Sequence, residues 1–128
     1  MNLGVQFSSS RDIYHHFQTR LGNLKQERFI IVILDNKHRF LSETTVTVGL
    51  LNRSLVHPRE VFAEAIEQRA AAIICIHNHP SGDSSPSEED KRITRRLQES
   101  GELLGIPLLD HIIISKEDFT SFADEGWL

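Results

Sequence analysis

The chain has 128 residues, 39% of them apolar and 25% charged, a length and composition that indicate one globular domain, residues 1–128, and argue against a disordered chain. A formal charge of −4 argues against sequence-independent nucleic-acid binding as the main task, although it is compatible with a local basic patch. One cysteine, Cys75, excludes an intrachain disulfide, the longest apolar run (Ala70 to Ile76) is too short to cross a bilayer, and the N-terminus carries no signal-peptide pattern, so a cytoplasmic, reducing setting is expected.

Residues 1–8 read as a loose lead-in. Ser9-Ser10-Arg11-Asp12 has the form of a capping box, and Ile13, Phe17 and Leu21, widened by Tyr14, give the first helix its apolar stripe. Gly22-Asn23 stops it. Arg28 to Leu34 is a dense β-branched run, Asp35 to His38 a turn, and Arg39 to Val48 a second strand, so the pair reads as a β-hairpin. Gly49 to Val56 reads as a further extended piece. Pro58 occupies a first helical position, ahead of a face made by Val61, Phe62, Ala65 and Ile66. Ala71 to His79 is a buried strand and Pro80 to Pro86 a loop. Ser87-Glu88-Glu89-Asp90 is a second capping box, opening a helix that buries Ile93, Leu97 and Leu104. Leu108 to Ser115 is a strand, and Asp118 to Ala123 adds a short one. Helices alternating with strands after an initial hairpin give an α/β fold, a mixed sheet flanked by helices.

The stretch with chemistry in it runs from Cys75 to Asp90. Side chains alternate along a strand, so His77 and His79 point the same way, with Cα atoms roughly 6.5 Å apart. Two imidazoles so placed can share one ion, and the Pro/Gly loop can fold back to bring the first turn of the next helix, with Asp90, to the same point. Two imidazoles, one carboxylate and an open fourth position are the make-up of a catalytic zinc site, whereas a structural site closes all four positions. Taken singly these features have plain readings. Ser87 and Asp90 can simply cap a helix, and two strand histidines can simply hydrogen-bond at a polar edge. In combination they favour a metal centre of His77, His79 and Asp90 binding Zn²⁺.

His77-X-His79, seven residues, Ser87, two residues and Asp90 resembles the JAMM signature of the JAB/MPN+ metallopeptidases, in the form of their bacterial RadC branch. His-Asn-His-Pro-Ser-Gly at 77–82, His57-Pro58-Arg59-Glu60-Val61, Leu109-Asp110-His111 and Gly126-Trp127-Leu128 carry the same likeness, which spans the chain from about the first helix onward. The resemblance implies a JAB/MPN (cytidine-deaminase-like) domain and a zinc-dependent metallopeptidase or isopeptidase acting on a peptide or protein. It also implies a glutamate at the start of the first strand that handles the proton of the zinc water. Glu27 matches that position, and Glu43 on the next strand is the rival. Ser87 is then the donor to the tetrahedral oxyanion. Two other readings stay open. One is a metal-dependent nuclease or DNA-repair-associated factor, with nucleic acid as partner. The other is a non-catalytic protein-binding module. The helix-hairpin-helix region of longer RadC relatives lies outside the likeness, so no DNA-binding role is borrowed from it. No membrane partner is expected.

Cys75 shares strand parity with His77 but reads as a small buried apolar residue. Asp110 and His111 are candidates for support of the ligating histidines or for ordinary buried hydrogen bonds. His15, His16, His38 and His57 have no ligand spacing.

Overall fold

The computed structural model describes residues 3–49 and 56–128. The extended piece expected at 49–56 therefore lies almost wholly outside the described residues. The elements are α1 (Ser10–Leu21), β1 (Arg28–Leu34), β2 (Phe40–Val48), α2 (Pro58–Glu67), β3 (Ala72–Asn78), α3 (Glu88–Leu104), β4 (Leu108–Ile114) and β5 (Phe119–Ser121). They form a mixed five-stranded sheet in the order β2-β1-β3-β4-β5. β1 is antiparallel to β2 and β3, β3 is parallel to β4, and β5 is antiparallel to β4. None of the described helices is long and apolar enough to cross a membrane.

The sheet is covered on both faces, which explains why β1 and β3 are apolar without alternation. Phe29, Ile31, Ile33, Ile73 and Cys75 face a core made with Val61 and Phe62 of α2 and Ile93 and Leu97 of α3. Ile30, Val32, Leu34, Ile74, Ile76 and Ile112 face a second core made with Ile13, Tyr14, Phe17 and Leu21 of α1. The alternation that divides these cores also divides the motif: His77 continues the α2/α3 face, and Asn78 the α1 face.

Several local expectations are corrected. Residues 4–7 are not a loose lead-in. Gly4 N donates to Phe40 O at 2.9 Å, Phe40 N to Val5 O at 2.7 Å and Phe7 N to His38 O at 3.2 Å, and Phe7 is buried in the α1 core. This pairing covers the start of β2, where an edge would otherwise be bare. The box at α1 is offset. Ser9 Oγ accepts from Asp12 N, but the Asp12 carboxylate accepts from Ser8 N, one residue before the cap. Ile66 and Leu104 are about half exposed, each in the last turn of its helix. The N-cap of α2 is His57, whose Nδ1 accepts from Arg59 N at 3.0 Å.

Candidate metal centre

Two strands and one helix meet at the end of the sheet. β1 and β3 run antiparallel with Phe29 opposite His77. Glu27 lies two residues back along the chain, so it falls on the His77 face and opposite His79. Its backbone is tied to the end of β2, where Gly49 N donates to Glu27 O at 2.7 Å. Beyond β3 the chain turns through Gly82, whose φ of +91° suits a residue without a Cβ. An Asx turn follows, in which Asp83 Oδ1 accepts from Ser85 N at 2.9 Å. The loop delivers Ser87 to the N-cap of α3 and Asp90 to its first turn.

The side chains converge. His77 Nε2 lies 3.3 Å from Glu27 Oε2, and its Nδ1 lies 3.4 Å from Asp90 Oδ1. His79 Nε2 lies 3.1 Å from Asp90 Oδ2. The two imidazoles are perpendicular, with centroids 4.8 Å apart. Glu27, His77 and His79 each present a ligand atom within 4.8 Å of the other two. All three expected ligands, His77, His79 and Asp90, are thus brought together, and Glu27 stands among them rather than behind them.

The protonation pattern bears on whether a cation fits. His79 Nδ1 lies 2.9 Å from the Asp83 carbonyl, which can only accept, so Nδ1 carries a hydrogen and, in the neutral imidazole, Nε2 presents a lone pair. That lone pair faces Asp90 Oδ2. Two lone pairs at 3.1 Å are favourable only with a proton or a cation shared between them. His77 is 1% exposed and its Nδ1 makes no hydrogen bond among the described residues, although Asp90 Oδ1 is near. A buried imidazole nitrogen left without a hydrogen bond beside a carboxylate is likewise the setting of a ligand. Two imidazoles and the Asp90 carboxylate, with the Glu27 carboxylate beside them, therefore make a donor set that fits zinc.

Asp90 divides its oxygens. Oδ2 accepts from Ser87 N at 2.8 Å and faces His79, while Ser87 Oγ accepts from Asp90 N at 3.0 Å, closing the capping box. Oδ1 is left facing His77. The capping box thus leaves Oδ1 uncommitted, and Oδ2 faces His79 while it caps. Ser87 accepts in the box, so its hydroxyl hydrogen is not spent there. Burial pushes the Asp90 carboxyl up, but the two histidines and the Ser87 N–H outweigh it and hold the group well below the usual carboxylate range. Burial pushes His77 down, but Asp90 and then Glu27 outweigh it and raise the imidazole.

The other candidates are placed as follows. Glu43 is on the opposite face of the sheet, held by Arg20 of α1 through two contacts of 2.7 and 3.1 Å, and it does not reach the site. Cys75 is fully buried in the α2/α3 core, and burial drives its thiol well above the ordinary range. Asp110 anchors the C-terminal turn, accepting from Ser121 Oγ, Ala123 N and His111 N. His111 is fully buried, stacked on Phe122 at 4.7 Å and 6.2 Å from the His77 ring.

Sequence reasoning gave no role to Thr94, which joins Asp90 to His111, to the Asp83 carbonyl, or to Asn78. A helical step from Asp90 to Thr94 was legible. The other two depend on how a loop and a neighbouring strand are placed.

A family model for the RadC-like JAB domain matches residues 7–127. The chain is 50% identical over 125 residues to a UPF0758 protein of Syntrophotalea carbinolica, an alignment covering 98% of this chain and 55% of that protein. It is 55% identical over 105 residues to one from Bacillus licheniformis, covering 82% and 47%, and 54% identical over 110 residues to one from Methanospirillum hungatei, covering 86% and 49%. The chain spans about half the length of the curated relatives it matches, and their names state no activity. With the histidine pair, the capping-box aspartate and the strand-start glutamate in one place, this chain belongs to the RadC-like JAB domain family.

Proposed function

We propose that this domain is a zinc-dependent hydrolase that cleaves an amide bond in a peptide or an isopeptide-linked protein. The observation that carries the reading is the convergence of Glu27, His77 and His79 at one sheet end, with the Asp90 carboxylate 3.4 Å from His77 and 3.1 Å from His79. His77, His79 and Asp90 would hold the ion. Zinc bound there supplies Lewis acidity at neutral pH, polarising a carbonyl and acidifying water.

The chain's own groups do the rest. Glu27 is less buried than Asp90, with 22% of its side chain exposed against 2%. It also lines an open cleft of about 420 Å³ together with Lys25, Gln26, Gly49, Pro80 and Ser81. A carboxylate between the buried ligands and a solvent cleft is placed to take a proton from water and pass it to a departing amine. Ser87 has a hydroxyl hydrogen free of the capping box and donates it to the oxygen on which charge develops. Such a donor is commonly worth about 2.7–4 kcal/mol of barrier.

The test is metal analysis joined to hydrolysis. Protein purified without added metal is assayed for zinc and tried on peptide, isopeptide-linked and nucleic-acid substrates, with His77→Ala as control. Zinc at about one per chain and amide hydrolysis abolished in His77→Ala support the reading. A chain that neither carries nor takes up zinc contradicts it. Hydrolysis confined to nucleic acid and lost in His77→Ala would transfer the site to the nuclease reading.

A further inference from the structure

Asn78 lies between the two histidines in sequence but on the other face of β3, and it is 1% exposed. Its carboxamide makes two hydrogen bonds, both to the segment that enters β1. Oδ1 accepts from Arg28 N at 2.6 Å, and Nδ2 donates to Gln26 O at 3.0 Å. The Gln26 carbonyl belongs to the peptide group before Glu27, and the Arg28 N–H to the one after it. One planar side chain therefore holds both peptide planes that set the backbone direction of Glu27.

The main-chain pairing of β1 with β3 ends at Phe29 and His77. Asn78 extends the connection past that end with its side chain. On the other side, Gly49 N donates to Glu27 O, so residue 27 is gripped from both neighbouring strands. The chemistry of the clasp is narrow. It needs one donor and one acceptor on a short planar group, which asparagine has. Aspartate keeps the size but offers acceptors only, and it would set an oxygen against the Gln26 carbonyl.

We propose that Asn78 is a positioning residue, whose carboxamide fixes the backbone on both sides of Glu27 and so holds the Glu27 carboxylate against His77 on the strand that carries the histidine pair. The assignment rests on the proposed role of Glu27 in proton transfer. It does not require Asn78 to touch metal or substrate.

Two measurements test it. In zinc-free protein, amide hydrogen exchange of Arg28 is compared between wild type and Asn78→Ala. Loss of the acceptor should speed exchange at Arg28 by about tenfold or more, for a group whose hydrogen bond is removed, and leave Val32 in mid-strand unchanged. An Arg28 amide that exchanges equally fast in both overturns the clasp. The second measurement uses the zinc-loaded protein on whichever substrate of the panel it cleaves. Asn78→Asp should keep its zinc and its KM while kcat falls by about 10²-fold, the cost of a misplacement near 1 Å. In a Glu27→Gln background the same change should cost less than about threefold, because there is no base left to misplace. A merely structural role would cost the same factor in both backgrounds and would overturn the assignment. If Asn78→Asp does not fold by circular dichroism, Asn78→Ser enters the same comparison. A wild type that cleaves nothing removes the hydrolase reading and this assignment with it. Hydrolysis that Asn78→Asp leaves at the wild-type rate removes only the assignment.

Discussion

Thr94 and His111 share a 2.6 Å hydrogen bond whose direction is determined. Thr94 Oγ1 donates its one hydrogen to the Asp90 carbonyl at 2.8 Å, so it can only accept from His111, whose Nδ1 carries the proton. His111 Nε2 is then a bare acceptor, buried and without a hydrogen-bond partner among the described residues. The pair links the first turn of α3, where Asp90 is, to β4.

Burial, aided by the His77 charge, pushes His111 down to about 3 from its ordinary 6.5. A histidine with a depressed folded-state pKa contributes stability that is complete above its unfolded pKa and is lost as pH falls, since the unfolded chain then binds the proton that the folded chain refuses. Zinc-free wild type is expected to lose stability between about pH 6.5 and pH 3 from this group. His111→Phe should lack that component, so the gap in urea midpoint between wild type and variant should change across this window and stay flat between pH 7 and 8. A gap independent of pH would show that His111 takes up its proton in the folded protein as readily as in the unfolded chain.

Asp90→Asn tests the division of labour between the two carboxylate oxygens. The amide oxygen can still accept from Ser87 N, so helix content measured by circular dichroism should be nearly unchanged. The charge facing His77 and His79 is gone, so zinc occupancy should fall. His77→Ala and His79→Ala should lose zinc outright. An Asp90→Asn protein with full zinc and a frayed α3 would make Asp90 a cap only.

The domain is expected to fold without zinc. Both faces of the sheet carry packed cores that include no ligand apart from their margins, unlike small domains whose core is the metal. Chelated protein should keep a folded circular dichroism spectrum, and zinc should raise its melting temperature. At a hundred times Kd the gain is about 2.7 kcal/mol. A coil-like spectrum after chelation would contradict this.

Much of this was legible in the sequence, and the rest was not for physical reasons. The strands and α3 show because runs such as Phe29 to Leu34 and Ile73 to Ile76 must be buried on both faces. His77, His79 and Asp90 show because strand parity and a helix start are local patterns. Glu27 does not: it is brought to His77 by antiparallel pairing across fifty residues, and only the family likeness pointed to it over Glu43. The Arg20 contact that occupies Glu43 is of the same long-range kind. Strand parity puts Asn78 on the face opposite the two histidines, but its role needs β1 as a neighbour. Residues 4–7 have no periodicity, and their order comes from β2 offering its edge.

Glu27→Gln gives the most direct measurement of the central claim, that Glu27 is the proton-transfer residue beside a zinc site built from His77, His79 and Asp90. The substitution keeps size and removes the basic carboxylate. Zinc content should stay close to wild type, and hydrolysis should fall by about 10²–10⁴-fold, the usual worth of a general base. Glu43→Gln, which breaks only a partly exposed ion pair worth about 0–1 kcal/mol, should change neither. A Glu27→Gln protein that hydrolyses at the wild-type rate, with Glu43→Gln inactive, would contradict the account and return the role to β2.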